Sequence, residues 1–183
     1  MIEILAWMKR EFTFDLPVQV FPALLERLRG TPARARQLVA GISEDLLASR
    51  RNGKWSAKDH LGHLVDLQTL DEQRLREFLR RAPALCAADI TNRATQHGNH
   101  CRTPIAEILR QLCSGREELV RKLDALREEE VGISAVHPRL QTSIRIIDWI
   151  YFVAEHDDHH LATARRAIWS SNNQAITEGG ESW

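Results

Sequence analysis

The sequence predicts an all-α protein, a four-helix bundle with a short extended arm at its N-terminus. Three observations lead to this fold class. Four long stretches place apolar residues at the three- and four-residue spacing of a helix face. Nine glycines and six prolines fall mainly between these stretches, and strand-like alternation is scarce. The predicted helices, whose number and length are typical of helix bundles, span residues 18–41, 57–81, 103–127 and 141–169.

The chain is predicted to have three parts. Residues 1–17 form an N-terminal arm, and "EFTFDLPVQVF" (11–21) is the one stretch that looks like a strand. Residues 18–169 form the bundle, and residues 170–183 form a flexible C-terminal tail. Within the first helix, Gly30-Thr31-Pro32 predicts either a kink or the start of a second helical segment.

Local signals indicate where the later helices begin. Ser56 precedes the second helix and Asp59 follows three residues later, which is the spacing of a capping box. Thr103 and Pro104 predict the start of the third helix, because proline is favoured in the first helical turn. Residues 82–102 are expected to be a long connection with a turn of helix at most. A polar loop is expected to lead into the fourth helix.

Composition restricts the possible classes of function. The 183 residues suffice for one domain, and 43% of them are hydrophobic, which is ample for a packed core. Lys plus Arg and Asp plus Glu both total 25, and this balance argues against a dedicated nucleic-acid binder. No apolar run is long enough to span a bilayer, and the first residues lack a signal-peptide pattern. We therefore expect neither membrane insertion nor secretion.

The cysteines indicate a reducing environment. Cys86, Cys101 and Cys113 form no C-x-x-C pair. An odd number of cysteines without such pairing favours reduced thiols. The protein is therefore expected to be cytoplasmic.

A cluster of histidines in "AEHDDHHLATA" (154–164) follows an apolar segment. His156 and His160 are four residues apart and therefore share one helix face, which also carries Trp149, Phe152, Val153, Ala164 and Ala167. Two buried imidazoles need partners, and one divalent metal ion can bind both. His63, on an apolar face of the second helix, is the predicted third ligand. Three ligands would leave coordination positions open for water or substrate.

The groups around these histidines leave alternatives open. A histidine on an apolar face is more often a core residue bonded to a backbone carbonyl than a metal ligand. His60 and His159 are expected beside the site or at its rim. The acids Glu155, Asp157 and Asp158 either orient the imidazoles through their free N–H groups or form a solvated helix face.

Other side chains receive weaker predictions. Trp149 is expected to wall the metal cavity and Trp55 to pack at its mouth, whereas Trp7 has no assigned role. The segment "TQHGNHC" (95–101) forms a second metal site, lies over the main site, or sits on the surface; its candidate residues are His97, His100 and Cys101. His137 is expected to be a loop-packing residue.

Three sequence features together are typical of one protein family. The second helix carries a W-S-x-x-x-x-x-x-H-L-x-D pattern, formed by Trp55, Ser56, His63, Leu64 and Asp66. "EHDDHHL" (155–161) contains an H-x-x-x-H pair. "DITNRAT" (89–95) and "HPRLQTSIRIIDWIYF" (137–152) are similar to linkers of one branch of the family. Over residues 18–169 the chain thus resembles the DinB-like (DinB/YfiT-like) metalloenzymes.

The resemblance implies a four-helix bundle with one divalent metal ion, zinc or nickel, bound by His63, His156 and His160. Water is expected at the remaining coordination positions. The resemblance also implies a small-molecule substrate and a homodimer. Several relatives in this family are thiol S-transferases or thiol-dependent isomerases, which implies a low-molecular-weight thiol as co-substrate.

The hypothesis from both lines of reasoning is a metal-dependent transfer reaction. The metal lowers the pKa of a small thiol, and the thiolate attacks an electrophilic carbon of the substrate. Alternatively, the metal activates water for hydrolysis, with Glu155 or Asp66 as the catalytic group that helps the proton leave. Two further hypotheses are a non-catalytic metal-binding stress or dimerisation module, and a bundle without metal whose histidines are satisfied by backbone and carboxylates.

Overall fold

The protein folds as a four-helix bundle, as predicted. The structure is a computed structural model that describes residues 2–178 and the side chains of residues 2–170. Two of its four arms are each made of two consecutive helices, α1 with α2 and α4 with α5, and the other two arms are α7 and α9. The helices run over α1 Phe21–Arg29, α2 Thr31–Val39, α3 Glu44–Ala48, α4 Ala57–Asp66, α5 Gln68–Leu79, α6 Arg93–His97, α7 Ile105–Asp124, α8 Glu128–Val131 and α9 Ile146–Glu178.

The first arm breaks where the sequence predicts a break. Gly30 ends α1, and Pro32 lies in the first turn of α2, where a missing N–H costs nothing. The second arm was predicted as one helix over 57–81, but it breaks at Leu67. The next residue, Gln68, donates its side-chain amide to two backbone carbonyls of α7, and an added Cβ at Gly115 would lie 2.1 Å from that amide.

A β-hairpin replaces part of the predicted fourth helix. Strand β1 (Ser134–His137) pairs antiparallel with β2 (Thr142–Arg145), with Ala135 opposite Ile144. The prediction that the fourth helix begins at residue 141 was therefore wrong, since α9 begins at Ile146. Ile133, Ala135, Ile144 and Ile146 are buried, and this alternation within the polar loop is the strand signal that the sequence reading missed.

The ends of the chain differ in part from expectation. Residues 11–17 contain no strand, and residues 2–17 contain one 3-10 turn, Trp7–Lys9. A second 3-10 turn, Val18–Val20, precedes α1. At the other end α9 continues to Glu178, past the predicted limit at residue 169. The remainder of the predicted tail, 179–183, lies outside the described residues, and its flexibility stays a prediction.

The capping box predicted at the start of α4 is confirmed. Ser56 Oγ accepts a hydrogen bond from the Asp59 N–H at 3.1 Å, and the Asp59 carboxylate accepts one from the Ser56 N–H at 2.9 Å. Arg50 adds a two-point ion pair to the same carboxylate at 2.6 and 2.7 Å. These contacts satisfy N–H groups that have no partner within the helix. They fix the start of the helix that carries His60 and His63.

The long connection between α5 and α7 is partly ordered into short helical segments. It contains α6 and a 3-10 turn, His100–Arg102. The cysteines Cys86, Cys101 and Cys113 are free and partly buried. Among residues 2–178, no helix is both long and apolar enough to cross a membrane.

A layer of polar residues divides the bundle core into two apolar clusters. One cluster includes Leu28, Leu75, Leu119 and Val153, and the other includes Ala35, Leu64, Leu112 and Ala164. Between them each arm contributes a buried polar side chain, namely Thr31, Asp71, Arg116 and Asp157. Asp157 accepts hydrogen bonds from Arg116 at 2.9 Å and from Thr31 at 2.8 Å. Asp71 lies 3.5 Å from the other terminal nitrogen of Arg116.

Asp157→Asn is expected to lower the free energy of unfolding by about 3 kcal/mol, because it leaves the buried Arg116 with only the more distant Asp71 as a counter-ion. The matched control is Asp158→Asn. Asp158 is 33% exposed and pairs with Arg27 and Arg34 near the surface, so its removal should cost less than about 1 kcal/mol. Urea denaturation of both variants measures the difference, and equal losses would contradict a structural role for the polar layer.

Candidate metal centre

Three imidazoles from two arms of the bundle converge on one point. His63 comes from α4, and His156 and His160 come from successive turns of α9. One ring nitrogen from each histidine lies within 4.8 Å of the other two. The Nε2 atoms of His156 and His160 are 3.1 Å apart. The three predicted ligands are therefore brought together.

These spacings fit a single divalent ion. Metal–nitrogen distances near 2.0–2.1 Å place two imidazole nitrogens on one ion about 2.9–3.4 Å apart, depending on the coordination geometry. The separation of 3.1 Å between His156 and His160 falls within this range. His63 closes the group without large movement. Among the described residues this is the one group of three or more His, Cys, Asp or Glu side chains with such convergence.

Burial keeps the three imidazoles in the form that binds metal. It lowers the pKa of His63 to about 4 and the pKa values of His156 and His160 well below the usual value. Burial is the largest cause for each, because a low-dielectric environment disfavours the charged ring. At neutral pH each ring is uncharged, so a lone pair is available and a metal ion does not have to displace a proton.

A hydrogen-bond chain fixes the orientation of His63. Thr95 Oγ1 donates to Asp66 at 2.7 Å, so its oxygen accepts from His63 Nδ1–H at 2.9 Å. This arrangement places the proton of His63 on Nδ1 and leaves Nε2 free as a ligand atom. Asp66 also accepts from His100 Nε2 at 3.0 Å. Such outer partners orient a metal-binding imidazole and raise its basicity.

His60 orients the ring of His160 in a similar way. The Nδ1 atoms of the two rings are 3.0 Å apart, while Nε2 of His160 faces His156. Burial lowers the pKa of His60 to about 4, so this ring is neutral and can accept the Nδ1–H of His160. The expectation that His60 lies beside the site is confirmed.

The segment 95–101 packs behind His63. An added Cβ at Gly62 would lie 2.2 Å from the His100 ring, so the absence of a side chain there lets this segment approach α4 closely. His97 is exposed and contacts the backbone carbonyl of Arg93, so it does not join His100 in a second cluster. Of the three predicted alternatives, a second metal site is not formed among the described residues; the segment lies behind His63, and its residues 96–99 are exposed at the surface.

The three histidines line a cavity of about 630 Å³. Trp55 lies in its wall, with its ring centroid 5.1 Å from that of His63, and its position at the mouth stays a prediction. Trp7 of the N-terminal segment also lines the cavity and packs edge-on against His156 at 4.7 Å. The prediction that Trp149 walls the cavity was wrong, because this ring is fully buried against Phe78 in an apolar cluster.

A family model described as the DinB superfamily matches residues 27–164, which include all three histidines. The chain belongs to the DinB superfamily. The matched region contains the four arms of the bundle, from the end of α1 into α9. It ends within four residues of His160, and it excludes the N-terminal segment that carries Trp7.

Two relatives and one solved structure are similar to most of the chain. A protein of Oceanobacillus iheyensis, named as a candidate metal-dependent hydrolase, is 29% identical over 131 residues, which are 71% of this chain and 73% of the relative. The uncharacterised protein YuaE of Bacillus subtilis is 26% identical over 135 residues, 67% of this chain and 83% of YuaE. YfiT of Bacillus subtilis, described as a probable metal-dependent hydrolase with an unusual four-helix bundle topology, superposes with a TM-score of 0.75 at 17% identity. This match covers 91% of this chain and 93% of YfiT, and it supports the fold.

The two predicted catalytic acids lie away from the cavity wall of this DinB-superfamily chain. Asp66 contacts Thr95 and His100 behind His63. Glu155 pairs with Arg10 and Arg27. Neither carboxylate is among the residues that line the cavity, and a catalytic role for them stays a prediction.

The acids next to the paired histidines on α9 form ion pairs with arginines rather than hydrogen bonds with the imidazoles. Asp157 is buried on Arg116, and Asp158 pairs with Arg27 and Arg34. Among the described side chains none of the three acids forms a hydrogen bond with an imidazole, so that predicted alternative is wrong. Each acid instead pairs with arginines from other parts of the chain, and Asp158 remains partly exposed.

Asp71 is a cavity residue that the sequence reading missed. It lies on α5, lines the same cavity as the histidines, and is 6% exposed. Burial raises its pKa to about 6, although the charge of Arg116 opposes the shift. Asp71 follows His63 by eight residues, which on a continuous helix is about 80° away from His63, and the break at Leu67 lies between them. Helical spacing therefore gave no clear signal for Asp71.

Thr95→Val is expected to weaken zinc binding by about 10- to 100-fold, because the His63 Nδ1–H loses its acceptor and its link to Asp66. Thr95→Ser keeps the hydroxyl and should bind zinc with nearly native affinity. Competition with a chromophoric chelator measures both affinities. Equal affinities for the valine variant and the native protein would show that the chain behind His63 does not support metal binding.

Proposed function

We propose that this protein is a metal-dependent enzyme that activates a nucleophile for attack on a small electrophilic substrate. One observation carries the proposal: three neutral imidazoles, of which His63 and His160 are buried and His156 is half-buried, lie in the wall of a cavity of about 630 Å³, with ligand nitrogens within 4.8 Å of one another. The cavity is in the size range of small-molecule sites. The names of the relatives support the same class of function.

The chain's own residues suit this role. His63, His156 and His160 would hold one divalent ion, zinc or nickel, both of which accept imidazole ligands. A bound ion would lower the pKa of a thiol or a water molecule and so supply a nucleophile at neutral pH. Thr95 and His60 hold the ligand rings in place. Trp7 and Trp55 enclose the cavity and limit the access of bulk water.

Hydrolysis is favoured by the names of two relatives and by Asp71. The relatives are described as metal-dependent hydrolases. Asp71 lines the cavity, and its pKa of about 6 leaves most of the carboxylate ionised at neutral pH. A carboxylate with a pKa close to the working pH is suited to accept a proton from water as a general base. Because Asp71 lines the cavity and Glu155 and Asp66 do not, we assign this role to Asp71.

Thiol transfer is the second candidate, favoured by the size of the cavity. About 630 Å³ leaves room for a small thiol beside an electrophilic substrate. The resemblance of the sequence to a family that includes thiol S-transferases also supports thiol transfer. A non-catalytic metal-binding module would need the three histidines but would have no use for a cavity of this size.

Protein purified without a polyhistidine tag is expected to contain close to one equivalent of a divalent metal. His63→Ala, His156→Ala and His160→Ala should each lose it, because two imidazoles make a weak site. His97→Ala is the matched control, since His97 is exposed and contacts only a backbone carbonyl. Elemental analysis measures the metal content. A metal-free native protein that also binds no added zinc or nickel would refute the proposal.

The metal-loaded protein is expected to consume either a small electrophile together with a thiol or an activated ester or amide alone. The first reaction is assayed with glutathione, bacillithiol or mycothiol, and the second by product release without thiol. Asp71→Asn should reduce hydrolysis by about 100-fold or more if Asp71 is the general base, and should leave thiol transfer much less affected. Metal binding without either activity would favour the non-catalytic module.

A further inference from the structure

A group of nitrogen donors without partners lies in the cavity wall next to the histidines. His137 and Arg139 both pack against Phe152, at 5.0 Å between ring centroids and 5.6 Å from guanidinium carbon to ring centroid. Phe152 precedes His156 by one turn of α9. All of these residues line the same cavity, and so does Arg74.

The Nε2–H group of His137 is a hydrogen-bond donor without an acceptor. Its Nδ1 accepts a hydrogen bond from the Leu140 N–H at 3.3 Å. Burial, followed by the charges of Arg74 and Arg139, lowers its pKa to about 4, so the ring is neutral and its one proton is on Nε2. His137 is 1% exposed, and Nε2 has no hydrogen-bond partner. A buried N–H group without an acceptor is costly.

Two guanidinium groups near His137 lack a carboxylate partner. Arg139 donates through Nη2 to the backbone carbonyls of Trp7 and Arg10, while its buried Nη1 has no partner. Arg74 donates through Nε and Nη2 to the carbonyl of Cys86. Among residues with described side chains, no carboxylate oxygen lies within 4.0 Å of either group. Arg74 is buried and Arg139 is half-buried, and cations removed from water are normally paired with an anion.

The acids of the cavity are engaged elsewhere. Asp157 and Asp71 flank Arg116, at 2.9 and 3.5 Å. Asp89 accepts hydrogen bonds from Thr91 and Arg93 of its own loop. The charge of Arg74 acts on Asp71, but the two groups form no ion pair. The cations of this wall therefore have no counter-ion of their own.

We infer that His137, Arg139 and Arg74 form a binding site for a carboxylate group of the substrate. A carboxylate accepts several hydrogen bonds at once, and guanidinium groups match its planar geometry. It would satisfy the Nε2–H of His137 and Nη1 of Arg139 and neutralise one unpaired cation. This inference rests on the proposed function only in calling the ligand a substrate.

The site lies beside the candidate metal centre. His137 and Arg139 pack on Phe152, which precedes His156 by one turn of α9, and all four residues line one cavity of about 630 Å³. A substrate held by its carboxylate at the donors can therefore present another of its atoms to the metal centre. The substrate class is a small carboxylic acid that carries an electrophilic centre.

Phenylacetate and phenylacetamide are the matched probes, since they differ in charge and hardly in shape. Calorimetry on the full chain, both zinc-loaded and chelator-treated, measures their binding. We expect phenylacetate to bind at least about 10-fold more tightly than the amide in both forms, as charge-assisted hydrogen bonds to buried donors require. The same preference without zinc excludes direct ligation of the carboxylate by the metal.

Two variants localise this preference. Arg139→Gln removes the charge and can still donate to the Trp7 carbonyl, and His137→Phe removes the Nε2 donor while keeping a ring against Phe152. Each should weaken phenylacetate binding by about 5-fold or more and leave phenylacetamide binding unchanged. Arg110→Gln, which changes an exposed arginine paired with Glu107, should affect neither probe. A purely structural role for His137 and Arg139 would weaken both probes equally.

The binding of the two probes tests the carboxylate site independently of the proposed metal-dependent function. Equal binding of the two probes, or an unchanged preference in both variants, overturns the carboxylate site whether or not the protein binds metal. A clear preference that the variants abolish supports the site even if elemental analysis finds no metal. Zinc content of the two variants, measured in parallel, should equal that of the native protein.

Discussion

The ion pair between Asp157 and Arg116 is the constraint on which the rest of the site depends. Asp157 lies directly after His156, and the two side chains point about 100° apart around α9. Because the carboxylate is anchored to α7 through Arg116 and to α2 through Thr31, the rotation of α9 is fixed. His156 and His160 are thereby turned toward α4 and His63. A rotation of one residue would replace an imidazole with an acid at the centre.

In the polar middle of the bundle, two of the three candidate ligand histidines have a partner for the ring nitrogen that faces away from the centre. His63 uses Thr95 and Asp66, and His160 uses His60. The apolar clusters on both sides of this layer supply the burial that keeps the rings uncharged. Among the described side chains, buried nitrogens without a hydrogen-bond partner belong to Arg116, His137, Arg139 and Trp149, and the first three of these residues line the cavity.

The features that the sequence predicted correctly are local ones. The capping box at Ser56 and the four-residue spacing of His156 and His160 depend on one helix each. The break at Leu67 was missed because it accompanies hydrogen bonds from Gln68 to α7. The role of Asp157 was missed because its partner Arg116 is 41 residues away. Helical periodicity predicts which face of a helix is buried, but it does not identify the distant side chain that packs against that face.

The cavity is lined both by helices of the bundle and by the N-terminal segment. Trp7 contacts His156 and Phe152, and its carbonyl accepts from Arg139, yet it belongs to a segment outside residues 27–164 of the family match. Residues 2–20 contribute no fully buried side chain. A substitution in this segment would therefore alter the lining of the pocket while the helices that carry the histidines keep their own packing. Proteins that share one ancestral scaffold can in this way diverge in the molecules they accept.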